Sequence, residues 1–94
     1  MGGDYAMKIK QTVIYRQVVG EHMLIPVGDV PGEQNGLFAL TETGAFIWEQ
    51  IEKGLNEAEI LDAVLNEFDV DPQTAIADID GFLNHLSSYG IIER

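Results

Sequence analysis

The chain has 94 residues, no cysteine, 46% hydrophobic residues and a formal net charge of −11, and its size predicts a single domain with a modest core. The lack of cysteine excludes disulfides and thiolate metal sites, and it fits a reducing cytoplasm. The chain also lacks the run of about eighteen apolar residues that a membrane span requires. The excess of acid repels nucleic acid and anionic lipid and favours neutral or basic peptide partners, although an acidic surface also serves solubility alone.

The N-terminal half predicts a flexible start followed by three strands. Residues 1–10 open with small residues and are predicted to be flexible, which leaves one domain over residues 11–94. Two runs rich in β-branched residues, at about 11–18 and 22–28, predict a hairpin. After a polar loop, the short run at 35–40 predicts a third strand. We expect an antiparallel sheet in the order one-two-three, with the third strand at an edge.

Three amphipathic helices are predicted after the strands, each preceded by a typical N-cap residue. They cover about 42–53, 57–68 and 72–89, and the caps are Thr41, Asn56 and Asp71. Glu59 completes a capping box for the second helix, and Pro72 stands at the first position of the third helix, where proline fits best. Apolar residues three and four apart predict a core stripe on each helix, with Trp48 as its largest member. The predicted fold is α+β and winged-helix-like, a three-stranded antiparallel sheet followed by three helices.

A winged-helix-like arrangement often binds DNA, but the charge of this chain argues against that function. Lys53 and Arg94 are the only basic residues after Leu40, and the third helix carries Asp78 and Asp80 without any lysine or arginine. A recognition helix needs basic residues to approach phosphates. DNA binding is therefore disfavoured, and a structural or dimerisation module is the alternative use of such a fold.

The sequence gives no indication of catalysis, a cofactor or a metal. His22 and His85 lie far apart in the sequence, and neither has the neighbouring ligands that a zinc site requires. The aspartates that begin at Asp69 depart from a calcium loop, because Thr74 stands at the sixth position, where that motif has glycine. We expect no catalytic residue and no metal ligand in this chain.

The third predicted strand is the best candidate for a binding surface. Residues 35–40, NGLFAL, carry no charge, whereas proteins usually protect an open edge with lysine or proline. An open apolar edge accepts an added peptide strand, which takes backbone hydrogen bonds from it. Two alternatives remain at this point: the edge is covered by the C-terminal tail at Ile91 and Ile92, or it pairs with a second copy in a homodimer.

Two sequence blocks carry a family resemblance. The run LTETGAFIWE begins at Leu40, the run FDVDP opens the third helix, and the chain closes on GIIE at residues 90–93. Over about residues 10–93 the chain resembles the PqqD-like family, which are peptide chaperones of the pyrroloquinoline quinone biosynthesis type, also called precursor-peptide recognition elements. The resemblance implies three strands followed by three helices, in agreement with the patterns above.

The resemblance also implies a function and a site. Family members bind the leader of a ribosomally synthesised precursor peptide, which adds a strand beside the third strand and packs against the third helix. They present it to a modifying enzyme, such as a radical S-adenosylmethionine (radical SAM) protein or a leader protease. The positions implied here are Asn35, Gly36, Leu37, Phe38, Ala39, Leu40, Ile76, Ile79, Asp80 and Leu83. Strand alternation predicts that Phe38 and Leu40 share one face, with Leu40 next to the Trp48 core.

Overall fold

The structure, a computed structural model, describes residues 8–10, 13–26 and 38–94. The described elements are β1 (Lys8–Ile9), β2 (Val13–Val18), β3 (Glu21–Pro26), β4 (Phe38–Leu40), α1 (Glu42–Glu52), α2 (Glu57–Glu67), α3 (Pro72–Ser88) and β5 (Ile92–Glu93). The predicted α+β fold is confirmed, and each helix ends one residue before its predicted end. The predicted strand at 35–40 is described from Phe38 onward, so its first half lies outside the described residues.

The main sheet is antiparallel, with β3 between β2 and β4. Leu24 of β3 lies opposite Tyr15 on one side and Phe38 on the other. The turn between β2 and β3 consists of Val19 and Gly20, with φ values of 50° and 81°. Two positive φ values suit a tight hairpin, although a β-branched residue such as Val19 rarely adopts one. The predicted order of the strands is confirmed, and it leaves β2 and β4 at the two edges.

A second, two-stranded sheet joins the two ends of the described chain. β1 pairs antiparallel with β5, and the Lys10 N–H donates a 2.8 Å hydrogen bond to the carbonyl of Ile91. This strand lies within residues 1–10, which were predicted to be flexible, while residues 1–7 lie outside the described residues. The C-terminal tail therefore pairs with β1, and the alternative in which the tail covers the β4 edge is wrong.

The predicted helix caps are all present. Thr41 Oγ1 accepts a 3.0 Å hydrogen bond from the Gly44 N–H, and Asn56 forms the predicted reciprocal box. At the start of α3 the Asp71 carboxylate accepts a 2.7 Å hydrogen bond from the Thr74 hydroxyl. This hydrogen bond, with that of the Thr74 backbone N–H, holds the pKa of Asp71 below its ordinary value. Each cap satisfies a backbone donor that a helix start leaves without a partner inside the helix.

One core lies between the main sheet, the three helices and the C-terminal tail. Its largest fully buried side chains are Trp48, Leu24, Ile47, Ile60, Leu83, Leu86, Ile92 and Val64. The prediction that the tail packs back on the core is confirmed, because Ile91 and Ile92 are both buried. Burial of such side chains contributes about 1.5–3 kcal/mol each, so this core holds α1 in a fixed position beside β4 and holds α3 against α1 and α2.

Candidate functional site: the β4 edge and the two faces of α3

The outer edge of β4 is the first part of the site. Its described residues Phe38, Ala39 and Leu40 are uncharged, and among the described strands only β3 pairs with them. Leu40 is half-buried and packs against the core, whereas Ala39 is exposed. Backbone groups on the free side of an edge strand are available to an added strand. Of the predicted site, Asn35, Gly36 and Leu37 lie outside the described residues, as does the side chain of Phe38.

A cavity of about 330 Å³ lies beside the end of β4. Its lining residues come from the start of α1 and from α3, and they are Thr41, Thr43, Gly44, Ile47, Asp78 and Phe82. We call it the strand-end cavity, because Thr41 directly follows the last residue of β4. It combines an apolar ring, two threonine hydroxyls and one carboxylate, which suits an uncharged peptide side chain more than an anion.

Glycine at position 44 sets the distance between α1 and α3 at this cavity. A Cβ added to Gly44 would lie 3.2 Å from Cε1 of Phe82 and 3.3 Å from Oγ1 of Thr41. Contacts that short are tighter than ordinary van der Waals separation, so a larger residue would displace the Phe82 ring. Gly44 belongs to the LTETGAFIWE block, which carries the family resemblance. Membership of that block is the feature of the sequence that could have pointed to this cavity.

The predicted residues of α3 lie on a different face of the helix. Leu83 is fully buried and Ile79 is 5% exposed, so both belong to the core. Ile76, Ile79 and Asp80 line a crevice of about 220 Å³, whose other residues come from α2 and from Arg94. The structure thus brings three of the four predicted α3 residues together, but beside α2 and not in the strand-end cavity.

Arg94 fills the polar side of this crevice, which we call the Arg94 crevice. Its Nη2 lies 2.6 Å from Oδ1 of Asp80 and its Nε 2.8 Å from Oε2 of Glu57. Its Nη1 donates a third hydrogen bond, 2.6 Å long, to Oδ1 of Asn84. The hydrogen bonds to Glu57, with a smaller contribution from Asp80, raise the pKa of Arg94 above its ordinary value. Asp80 therefore has a structural partner that ties the end of the chain to α2 and α3.

Asp78 and Phe82 are two α3 residues that the sequence-based site prediction did not name. They stand one turn apart, and both line the strand-end cavity. Helical periodicity identifies Ile79 and Leu83 as core residues, but it does not tell which flank of that stripe faces α1. Packing of α3 against both α1 and α2 decides this, and it places Asp78 and Phe82 on the flank toward α1.

The described part of the chain holds no group of three or more histidine, cysteine, aspartate or glutamate side chains placed to bind a metal ion. Across the same residues, no helix has the length and apolar character needed to cross a membrane.

Comparison with known proteins identifies the family. The family model described as coenzyme PQQ synthesis protein D (PqqD) matches residues 21–92. The chain belongs to the PqqD family. This match covers β3, β4, all three helices and the tail as far as Ile92, so the β4 edge and the strand-end cavity lie within the family region.

Two solved structures resemble this PqqD-family chain over nearly its whole length. TbiB1 in complex with the TbiA(beta) leader peptide has a TM-score of 0.75 and 30% identity, covering 93% of this chain and 95% of its own. Lasso peptide synthetase B1, complexed with the leader peptide, has a TM-score of 0.74 and 18% identity, covering 95% and 99%. The second supports the fold alone, because its identity is low. A search among curated proteins finds no match.

Proposed function

We propose that this PqqD-family protein binds the leader segment of a ribosomally synthesised precursor peptide by strand addition at the outer edge of β4. The observation that carries the proposal is the outer edge of β4, which no described strand pairs with and which ends at the strand-end cavity. Strand addition draws affinity from backbone hydrogen bonds and specificity from pockets for alternate side chains. The β4 edge supplies the backbone hydrogen bonds, and the strand-end cavity supplies a pocket for a side chain.

The similar solved structure and the family match also support this proposal. TbiB1, which is 30% identical over nearly the whole length, is a complex with a leader peptide. The family match and the shared fold make an equivalent ligand the natural expectation for this chain. We place the peptide strand along residues 35–40, and we place the wall from α3 at Asp78 and Phe82, because these two residues border the strand-end cavity.

We further propose that the protein has no catalytic activity and presents the leader to a separate modifying enzyme. A radical SAM protein and a leader protease are the two candidate classes. The family description as a coenzyme synthesis protein supports a role in peptide modification.

In the free protein, the same β4 edge is also available to a second copy. Light scattering with and without leader peptide would reveal a dimer that the leader competes away.

The test is a calorimetric titration with the precursor peptide encoded beside this gene, using a pair of matched phenylalanine variants. Phe82 and Phe68 are both half-buried and pack against the core, but only Phe82 lines the strand-end cavity. We expect Phe82→Ala to weaken leader binding about tenfold, as loss of an aromatic contact at an interface centre does. Phe68→Ala should bind the leader as the parent protein does.

Circular dichroism must show that both variants fold, because each loses core contacts. Equal leader affinity in the two variants would remove the strand-end cavity from the binding site. Absence of leader binding by the folded parent protein, with and without the modifying enzyme, would overturn the proposed function itself.

A further inference from the structure

A third cavity, of about 420 Å³, lies on the opposite side of α1 from the strand-end cavity. Tyr15 and His22 line it from the β2–β3 hairpin, and residues of α1 and the end of α2 line it from the other side. No residue lines both cavities. Each cavity can therefore be filled while the other is occupied.

Aromatic rings form much of this cavity. Phe46 and Phe68 meet edge to face with ring centroids 5.3 Å apart. On the hairpin side, the rings of Tyr15 and His22 are stacked, and the Tyr15 hydroxyl and His22 Nδ1 lie 2.6 Å apart in a hydrogen bond. Ring faces attract cations, and a planar guanidinium also stacks on them.

Four carboxylates surround these rings, and we call this third cavity the acidic cavity. Glu42, Glu49, Glu52 and Glu67 all line it and are exposed, and its described lining contains no lysine or arginine. The two ion pairs found among the described residues use Glu57 and Asp80, so none of these four carboxylates takes part in them. The acidic cavity therefore carries a local negative charge that no cation in its described lining balances.

Trp48 also belongs to the lining of the acidic cavity, and it is 1% exposed. Its indole Nε1 is the one buried side-chain polar atom, within the described part of the chain, that lacks a hydrogen-bond partner. Buried donors are normally paired, since an unpaired one costs free energy.

We infer that the acidic cavity binds an arginine-bearing segment of a partner protein. The guanidinium stacks on the rings and pairs with the glutamates, which no neutral or acidic side chain can do. The net charge of −11 draws such a segment toward the protein. This second interaction site goes beyond leader binding and stands independently of it, since the two surfaces lie on opposite sides of α1.

The test follows the indole resonance of Trp48, the only tryptophan in the chain, by ¹H–¹⁵N NMR. The probe is a short blocked peptide of alternating arginine and leucine, added at low ionic strength, and its control is the same peptide with citrulline, which is neutral. We expect the arginine peptide to shift the indole N–H resonance saturably and the citrulline peptide to leave it in place. The amide of Gly44, which lines the strand-end cavity, should not respond to either peptide.

Two double variants separate a specific site from general attraction to an acidic protein. Glu49→Gln with Glu52→Gln removes two charges from the acidic cavity. Asp62→Asn with Glu93→Gln removes two charges from exposed positions outside the lining of the acidic cavity. We expect the first pair to weaken arginine-peptide binding about fivefold relative to the second, the loss expected for two partly exposed ion pairs.

Equal weakening by the two double variants, an equal response to the citrulline peptide, or no shift of the Trp48 resonance would overturn the inference. Leader titrations of the same variants keep the two proposals apart, because loss of the acidic cavity should leave leader affinity unchanged. A leader that loses affinity in the Glu49 and Glu52 variant alone would show instead that the leader occupies this cavity.

Discussion

The two faces of α3 differ in what they leave available to a ligand. On the face toward α2, the polar groups already bond to one another, because Arg94 joins Asp80, Glu57 and Asn84. On the face toward α1, Asp78 and Phe82 border an open cavity at the end of β4, whose outer edge pairs with no other described strand. Similar residue types thus pair with one another on the face toward α2 and line an open cavity on the face toward α1. We propose that the face at the end of the sheet edge is the one that binds the leader.

Two substitutions on the α2 side of α3 test this difference between its faces. The one that removes the Arg94 contacts should have the larger effect on the free energy of unfolding. Glu57 and Asp80 are about half exposed (46% and 56%), so solvent screening reduces the value of each ion pair. We expect Arg94→Gln to lower the free energy of unfolding by about 1 kcal/mol in urea denaturation. High salt should shrink the difference between variant and parent, because it screens the ion pairs.

Leader affinity is the control for the Arg94 variant. We expect it to stay within about twofold of the parent value, since Arg94 does not line the strand-end cavity. A folded Arg94→Gln protein that loses leader binding would move the peptide to the α2 side of α3, where Ile76, Ile79 and Asp80 lie.

A smaller effect is expected from Ile76, which lines the Arg94 crevice and is 51% exposed. Ile76→Ser should change the free energy of unfolding by about 0.5 kcal/mol or less, as most surface substitutions do. It should also leave the calorimetric leader affinity as it is. A tenfold loss comparable to that expected for Phe82→Ala would instead place Ile76 in the binding site, as the family resemblance implied.

Much of the fold could be predicted from the sequence because its signals are local. Thr41, Asn56 and Asp71 each mark a helix start through a cap that involves only the next three residues. The pairing of β1 with β5 could not be predicted, because two-residue strands show no periodicity and their partners lie at opposite ends of the chain. Tertiary contact alone determines that pairing.

The site was predictable to a more limited extent. An uncharged run at the end of the sheet predicted the β4 edge, and the part from Phe38 to Leu40 is indeed an edge strand. The α3 wall was predicted at Ile76, Ile79, Asp80 and Leu83, as the family resemblance implied. Three of these four line the Arg94 crevice, while Asp78 and Phe82 line the cavity next to β4. The orientation of a helix about its own axis depends on all its neighbours, and sequence periodicity fixes only the buried stripe.

Backbone amide hydrogen exchange in the presence of the precursor leader tests strand addition at β4 most directly. β2 and β4 are the two edges of the same sheet, so β2 serves as an internal control. We predict that saturating leader slows exchange about tenfold or more at those amides of Phe38–Leu40 that do not donate to β3, while the amides of Val13–Val18 exchange as before. Protection at β2, or none at β4 while the leader is bound, would contradict the account.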